Sequence, residues 1–557
     1  MTQFQIHRHL AIILLVVLQC NTLTIAQTHT VTKEIDELMK ASYPTHLPGA
    51  VVLVALDDQI IFQSGYGNSS LETKEAITPR HVFRIGSITK QFTAVAILKL
   101  VSEKKIQLDD PVTRFFPDYV QGKKVTIRHL LTHTSGIPSY TGILELQTPE
   151  NKSAEKSVKE RFMAFKHLVL EFEPGDRFQY TNSGYFMLGM IIEKVTGVTY
   201  GDYLKKEFFL PLQMTSTYYD GGSTEILPKT TGYLTREQKF VAAGRGHHSM
   251  SYAAGALAST AEDLFKWSRS VFTFRLLHED IIAQAWEPAR LSSSKEINYG
   301  FGWSLGRLDD LKVIYHGGAI DGYVSYALNI PSKKLFVVIL TNRDEFGIIH
   351  QTEQISRIVL QKPMKNPPQI ELPTPVLDDY TGIYKNDSDQ LRVIMRKDNK
   401  LFSRDAYGDT LEIVAYRMDG FYIKEHPVKL DFERGQNKTV SSVKVTASDW
   451  IAGEEVKLDS ALLPPKNSVR LDRSVFDKYI GTYEIAGGFS LKVWIDKDRY
   501  MVTSTLHGDF EMFAESETQF FIPGVNVAIE FLKDINNSVS ALDLLANGTT
   551  SRGKKVQ

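Results

Sequence analysis

Ser87 and Lys90 stand three residues apart in Arg84-Ile85-Gly86-Ser87-Ile88-Thr89-Lys90-Gln91-Phe92-Thr93, just behind a glycine and at the start of an apolar run. Residues at i and i+3 share one helix face, so the amine of Lys90 can reach the hydroxyl of Ser87. The free N–H groups and the dipole at a helix start favour negative charge developing on that oxygen. A hydroxyl beside an amine in a positive local field is how a weak nucleophile becomes reactive. The spacing is common by chance, so its meaning depends on partners elsewhere in the chain. One is Phe178-Gln179-Tyr180-Thr181-Asn182-Ser183-Gly184-Tyr185, expected as a loop ahead of an apolar helix Phe186 to Val195. Its phenol can relay a proton, and its side-chain amide can hold a substrate carbonyl. Another is Val313-Ile314-Tyr315-His316-Gly317-Gly318-Ala319, a strand ending in small residues. Such a strand can lie edge-on to a substrate with backbone N–H groups facing it.

Other chemistries lack their parts. No G-x-S-x-G elbow occurs, since Ser135 and Ser183 both lack its leading glycine. There is no H-E-x-x-H, and the His247-His248 pair has no acidic or histidine partner at ligand spacing, so no metal is expected. No phosphate-cradling G-x-x-x-x-G-K-[ST] loop is present, and no cofactor is expected.

The elements that must position Ser87, Tyr180 and His316 follow from apolar patterning. After a helix near Val31 to Ala41, the runs Ala50 to Leu56 and Ile60 to Gly65 flank an Asp57-Asp58 turn and read as a β-hairpin. Ile88 to Val101 is apolar nearly all round, which predicts a buried helix with Ser87 at its mouth. Loops and helices alternate to about residue 270. Val324 to Ile330 and Leu335 to Thr341 form a second hairpin around Pro331-Ser332-Lys333, and a helix near Gln351 to Leu360 follows. This order implies an α/β (α+β) domain whose antiparallel sheet is assembled from both ends around a helical insertion.

Five prolines between Pro363 and Pro375 then mark a stiff linker. Beyond it the chain repeats itself. Asp378-Asp379-Tyr380-Thr381-Gly382-Ile383-Tyr384 matches Asp477-Lys478-Tyr479-Ile480-Gly481-Thr482-Tyr483, Leu391-Arg392-Val393 matches Leu491-Lys492-Val493, and Asp431-Phe432 matches Glu530-Phe531. The Pro464-Pro465 break falls between the copies. Each copy, with many short aromatic and β-branched runs, suits a small antiparallel barrel that closes its own edges, with Tyr380, Tyr384, Tyr479 and Tyr483 in its core. The expected domains are residues 27–362 (hydrolase), 363–375 (linker), 376–463 (first barrel) and 470–557 (second barrel).

The chain of 557 residues is too long for one core, and its 43% hydrophobic and 23% charged residues are those of globular protein. A formal net charge of −1 without a basic block argues against nucleic acid as a partner. Arg8, the apolar run Leu10 to Leu18 and Thr24-Ile25-Ala26 have the pattern of a secretory signal over residues 1–26. Secreted or periplasmic localisation is therefore expected. The alternative is a lipid anchor on Cys20, against which stands the bulky Gln19 where such sites want a small residue. Cys20 is the only cysteine, so no disulfide or thiol nucleophile is expected in the processed chain.

Ser87-Ile88-Thr89-Lys90, Tyr180-Thr181-Asn182 and His316-Gly317-Gly318 resemble, in order and rough spacing, the three motifs of the penicillin-recognising serine hydrolases. More narrowly, the chain is similar to the class C β-lactamase and DD-peptidase branch, which includes esterases and D-aminopeptidases. His129 to Gly136, Gly255 to Asp263 and Tyr299 to Trp303 also resemble that family, over about residues 35 to 360. The resemblance implies a serine β-lactamase-like catalytic domain followed by two lipocalin-like barrels of the kind found in D-aminopeptidase-like relatives. It implies that Ser87 forms an acyl-enzyme, that Lys90 and Tyr180 act as a coupled base and leaving-group donor, and that Asn182 orients substrate. It further implies an oxyanion hole from the N–H groups of Ser87 and Ala319, and a substrate-facing wall of His316, Gly317 and Gly318. The usual lysine-threonine-glycine has become His-Gly-Gly, which loses a hydroxyl and a full positive charge toward a substrate carboxylate. Peptide, amide or ester substrates are therefore expected ahead of β-lactams; a silent binder of cell-wall fragments is the non-enzymatic alternative. Cell-envelope association is compatible with this reading, and nothing in the sequence sets an oligomeric state. His133 and Thr134 read as loop-shaping residues, and Glu262-Asp263 as a helix start.

Overall fold

The computed structural model describes residues 29–556 apart from 221–227, 237–238, 245, 346, 364–366, 459–468, 470 and the short segments 387–390, 405–409, 425–427, 448–449, 486–488, 497–498, 505–507, 523–526, 535–537 and 547–548. The expected leader with Cys20, the Pro464-Pro465 break and part of the proline-rich linker lie outside the described residues.

Helix α1 (residues 29–42) leads into β1 (Ala50–Leu56) and β2 (Gln59–Tyr66). The turn between the strands places Asp57 and Asp58 at positive φ, a conformation that short polar side chains tolerate. Late in the domain come β3 (Ser304–Leu308), β4 (Leu311–Ile320), β5 (Tyr323–Ile330) and β6 (Leu335–Thr341). They join the first hairpin in one antiparallel sheet of order β3-β4-β5-β6-β1-β2, with Ala50 opposite Thr341 and Leu56 opposite Leu335. The early and late parts of the catalytic domain are tied at Asn342, which is fully buried. Its Oδ1 accepts the Gly49 N–H at 2.7 Å, and its Nδ2 donates to the carbonyls of Asn68, Ser69 and Thr231.

Alternation along β1 serves two cores. Ala50, Val52 and Val54 pack with α1 and with a helix at Ile348–Leu360, while Val51, Leu53 and Ala55 face the helical insertion. That insertion holds α2 (Thr89–Ser102), which is buried on nearly every side, as a helix apolar all round must be. Beside it run α3 (Asn182–Thr196) and α4 (His248–Gly255). Ser87 sits at the mouth of α2, in a 3₁₀ turn, Gly86–Ile88, that precedes the helix. One expectation is corrected here. Helix α3 starts four residues early: Thr181 caps it by accepting the Ser183 N–H at 3.2 Å, so Asn182 rides on the helix rather than in a loop.

Past the linker, the strands from Gly382–Lys385 to Trp450–Lys457 close one eight-stranded antiparallel barrel, and those from Gly481–Ile485 to Thr549–Lys555 close another. Equivalent bonds recur in both: Tyr384 donates to the Tyr380 carbonyl at 2.7 Å, and Tyr483 to the Tyr479 carbonyl at 2.8 Å. All four tyrosines are buried.

Candidate active site

Ser87 is placed by a meeting of two backbones. A Cβ on Gly318 of β4 would lie 2.1 Å from the Ile85 carbonyl oxygen and 2.9 Å from the Ser87 nitrogen. One on Gly86, at φ +49°, would lie 2.8 Å from the Ala319 nitrogen. Glycine at both positions lets the 3₁₀ turn press against the strand. Ser325 on β5 fastens the contact by donating to the Ile85 carbonyl at 2.8 Å. β3 pairs with Leu311–Tyr315, and among the described residues no strand pairs with the half of β4 from His316 to Ile320 on that side. The Ser87 and Ala319 backbones thereby come together at the edge of one cavity of about 170 Å³.

Lys90 reaches Ser87 from the first turn of α2. Its side chain is fully buried, and Nζ has three oxygens around it: Ser87 Oγ at 3.0 Å, Asn182 Oδ1 at 2.8 Å and the Ala254 carbonyl at 2.8 Å. Burial holds its pKa well below that of ordinary lysine. The Ala254 carbonyl follows a strained turn at Tyr252 (φ 39°, ψ −131°), a costly conformation for any residue but glycine. The preceding carbonyl, of Ala253, accepts from Thr93 of α2 at 2.7 Å. The strain thus sits where two successive carbonyls are needed against α2.

Tyr180 lies between Lys90 and a cluster of rings. The amine is 4.9 Å from its ring centre, and its hydroxyl lies against Ser87. Desolvation raises the phenol's pKa, and the Ser87 hydroxyl opposes part of that rise. On its other side the ring of His133 is 4.2 Å away, centre to centre. His133 is fully buried at positive φ, and its Nδ1 accepts the Thr181 N–H at 3.1 Å. Burial, with Lys90 and His316 nearby, keeps that imidazole neutral. His133 was read from sequence as a loop-shaping residue; its contacts are with the backbone beside Tyr180 and with the ring itself.

The other expected residues divide. Asn182 joins the site, with its Nδ2 donating to Thr141 Oγ1 at 3.2 Å. Gly317 and Gly318 belong to the strand wall. His316 is 5% exposed, and both its nitrogens are used within the protein. Nδ1 donates to the Gly317 carbonyl at 2.5 Å, which leaves Nε2 to accept from the Tyr299 hydroxyl at 3.0 Å. Burial and the Lys90 charge lower its pKa to about 3, so the ring is neutral at ordinary pH. The ring is turned into the protein, and neither it nor Gly317 or Gly318 is among the residues that line the Ser87 cavity, so the substrate-facing role expected of His316 is not seen in this arrangement.

Sequence reasoning missed Lys152 and Asp321, which line the same cavity. They belong to no motif and are 169 residues apart, so only the folded topology joins them. Tyr299 was within reach of the sequence, in the segment Tyr299-Gly300-Phe301-Gly302-Trp303. Gly302 of that segment explains itself: at φ +82°, a Cβ there would lie 2.8 Å from the Lys90 carbonyl.

Known proteins are similar to this chain in sequence and fold. Penicillin-binding protein 4* of Bacillus subtilis is 25% identical over 444 residues, covering 74% of this chain and 96% of that protein. The structure of the octameric penicillin-binding protein homologue from Pyrococcus abyssi aligns with a TM-score of 0.54 at 25% identity, over 77% of this chain and 99% of that one. The D-amino acid amidase of Ochrobactrum anthropi SV3, complexed with D-phenylalanine, aligns with a TM-score of 0.52 at 25% identity, over 60% of this chain and 100% of that one. The family model described as Beta-lactamase matches residues 31–354, the whole span that builds the sheet, its helical insertion and the Ser87 cavity, and the chain belongs to that family.

Proposed function

We propose that the protein is a serine hydrolase that cleaves small peptide or amide bonds through an acyl-enzyme on Ser87, with esters as faster-reacting surrogates. The observation that carries this reading is the surroundings of the Lys90 nitrogen. A neutral amine has two N–H groups and one lone pair. Asn182 Oδ1 and the Ala254 carbonyl can only accept, so they take the two N–H groups and leave the lone pair for the Ser87 hydroxyl at 3.0 Å. Burial favours that neutral form.

Lys90 is then the base and Tyr180 the donor. The Ser87 proton passes to Lys90 Nζ as Oγ forms its bond to the substrate carbonyl carbon. The resulting oxyanion is received by the Ser87 and Ala319 N–H groups, a contribution that is large in acyl transfer. As the tetrahedral intermediate collapses, the carbon–nitrogen bond breaks and the neutral Tyr180 phenol protonates the leaving amine. The Lys90 ammonium returns its proton to Tyr180. Water attacks the acyl-enzyme by the same path in reverse. Amide cleavage by a relative, the D-amino acid amidase, supports this substrate class, and the cavity of about 170 Å³ suits a short acyl group, since sites for drug-sized ligands start at roughly 300 Å³. A neutral His316 and a glycine at 317 provide little for the carboxylate of a β-lactam.

The reading includes export directed by residues 1–26 and barrels that restrict substrate size; deleting residues 374–557 should then widen the range of amides cleaved. The direct test is a fluorophosphonate probe. Labelling that Ser87→Ala abolishes, with turnover of amino-acid amides, supports the hydrolase, and an unlabelled wild-type protein overturns it in favour of a silent binder.

A further inference from the structure

The cavity beside Ser87 carries a pair of opposite charges. Lys152, on a short helix Pro149–Ser153, places Nζ 2.8 Å from both carboxylate oxygens of Asp321, in the turn after β4. The side chains are 27% and 33% exposed, and a pair so open to water contributes on the order of 0–1 kcal/mol. Such a pair is easily exchanged for another.

Its two members are held differently. Asp321 sits in a tight turn fixed by the pairing of Ile320 with Tyr323. Gly322, at φ +79°, is packed so closely that a Cβ would lie 2.6 Å from the Gly232 carbonyl carbon. The backbone that carries the carboxylate is therefore fixed. Lys152 ends a flexible four-carbon stem that can swing toward solvent. Among the described lining residues the other charges are settled. Arg84 is paired with Asp220 at 3.0 Å, with both side chains at least nine-tenths buried. The His247 ring is held toward its neutral form by burial, with Nδ1 at 2.8 Å from Ser249 Oγ. Among the described lining residues Asp321 is the one carboxylate.

Its distance along the strand is also informative. Asp321 lies two residues beyond Ala319, about 7 Å at the rise of a β-strand. With the scissile carbonyl on the Ala319 N–H, a substrate group about two bonds from that carbonyl comes within reach of Asp321.

We propose that Asp321 is a specificity-determining residue that receives a primary ammonium group on the acyl side of the substrate, which takes the place of Lys152 in the pair. The proposal rests on the acyl-enzyme reading of Ser87. It deepens that reading by naming the fixed carboxylate and the mobile lysine as a cation-exchange site.

Competition against fluorophosphonate labelling of Ser87 tests it in the full-length protein and needs no turnover. The competitors are alanine amide, in both enantiomers, and its N-acetyl and N-succinyl derivatives. The free amine should protect Ser87 about tenfold better than the acetyl compound, the scale of a charge-assisted hydrogen bond. Asp321→Asn should bring that ratio close to one, and Lys152→Met, which removes the competing cation, should raise it. Equal protection by amine and acetyl compounds, best protection by the succinyl compound, or a Lys152→Met ratio that falls overturns the proposal while Ser87 still labels. Absence of labelling in the wild type overturns the acyl-enzyme reading instead. Should Asp321→Asn fail to fold, the Lys152→Met ratio decides alone.

Discussion

The amine of Lys90 stands 2.8 Å from the side-chain oxygen of Asn182, although 92 residues separate them in the chain. On the proposed reading the contact takes one N–H of the neutral amine and leaves its lone pair for Ser87, and the amine's proton affinity then depends on position 182. With Lys90 lowered by burial, kcat/KM should rise with pH through a pKa well below 10.5 as the ammonium loses its proton. It should fall only on the far alkaline side, where the raised Tyr180 phenol ionises. Asn182→Asp puts a carboxylate beside the amine, stabilises the ammonium and should move the acidic limb upward by about one unit or more. A pH–rate profile of the two proteins checks this.

Lys90→Met keeps the length and apolar character of the stem while removing the base. Fluorophosphonate labelling of Ser87 should slow by about 10²–10⁴, the range of general-base catalysis. Equal labelling rates in the two proteins would transfer the base role to Tyr180.

Gly318→Ala is expected to damage stability and chemistry together. Its Cβ would stand 2.1 Å from the Ile85 carbonyl oxygen, so β4 and the 3₁₀ turn must separate. Overpacking of this kind costs about 1–3 kcal/mol, and the same separation pulls the Ala319 N–H away from Ser87. Chemical denaturation measures the first effect, and acylation rate the second.

His133→Leu retains an apolar side chain against Tyr180 and deletes the acceptor for the Thr181 N–H. The phenol should lose its alignment with the departing group. Amide hydrolysis should then fall about tenfold more than hydrolysis of a p-nitrophenyl ester, whose leaving group needs no proton. An equal loss on both substrates would mean that His133 acts on folding alone.

The hairpins were legible because their residues alternate or run apolar around Asp57-Asp58 and Pro331-Ser332-Lys333, and the barrels because Tyr380 and Tyr479 head matching repeats. Ser87, Lys90, Tyr180 and Asn182 were legible as types at a spacing. Their final geometry was not. The start of α3 was missed because Thr181, an ordinary cap residue, was read as part of a loop. The neutrality of His316 depends on Tyr299 and on burial beside Lys90, neither of which a local pattern displays. The pairing of Lys152 with Asp321 is invisible for the same reason: it exists only once β4 and the insertion have met.

The pairing of β1 with β6 has a consequence for when this protein can become reactive. Ala50 finds Thr341 only after nearly the whole catalytic domain has been synthesised, and the Asn342 knot closes later still. Contacts this distant along a chain form slowly, because loop closure precedes any gain from pairing. Ala319 itself lies on β4, whose partner β5 is made later still, so Ser87 has no Ala319 beside it until that late hairpin exists. The nucleophile, complete as a local motif within the first hundred residues, is therefore kept harmless by topology during biosynthesis, and a fragment truncated before residue 341 should carry the serine without the activity.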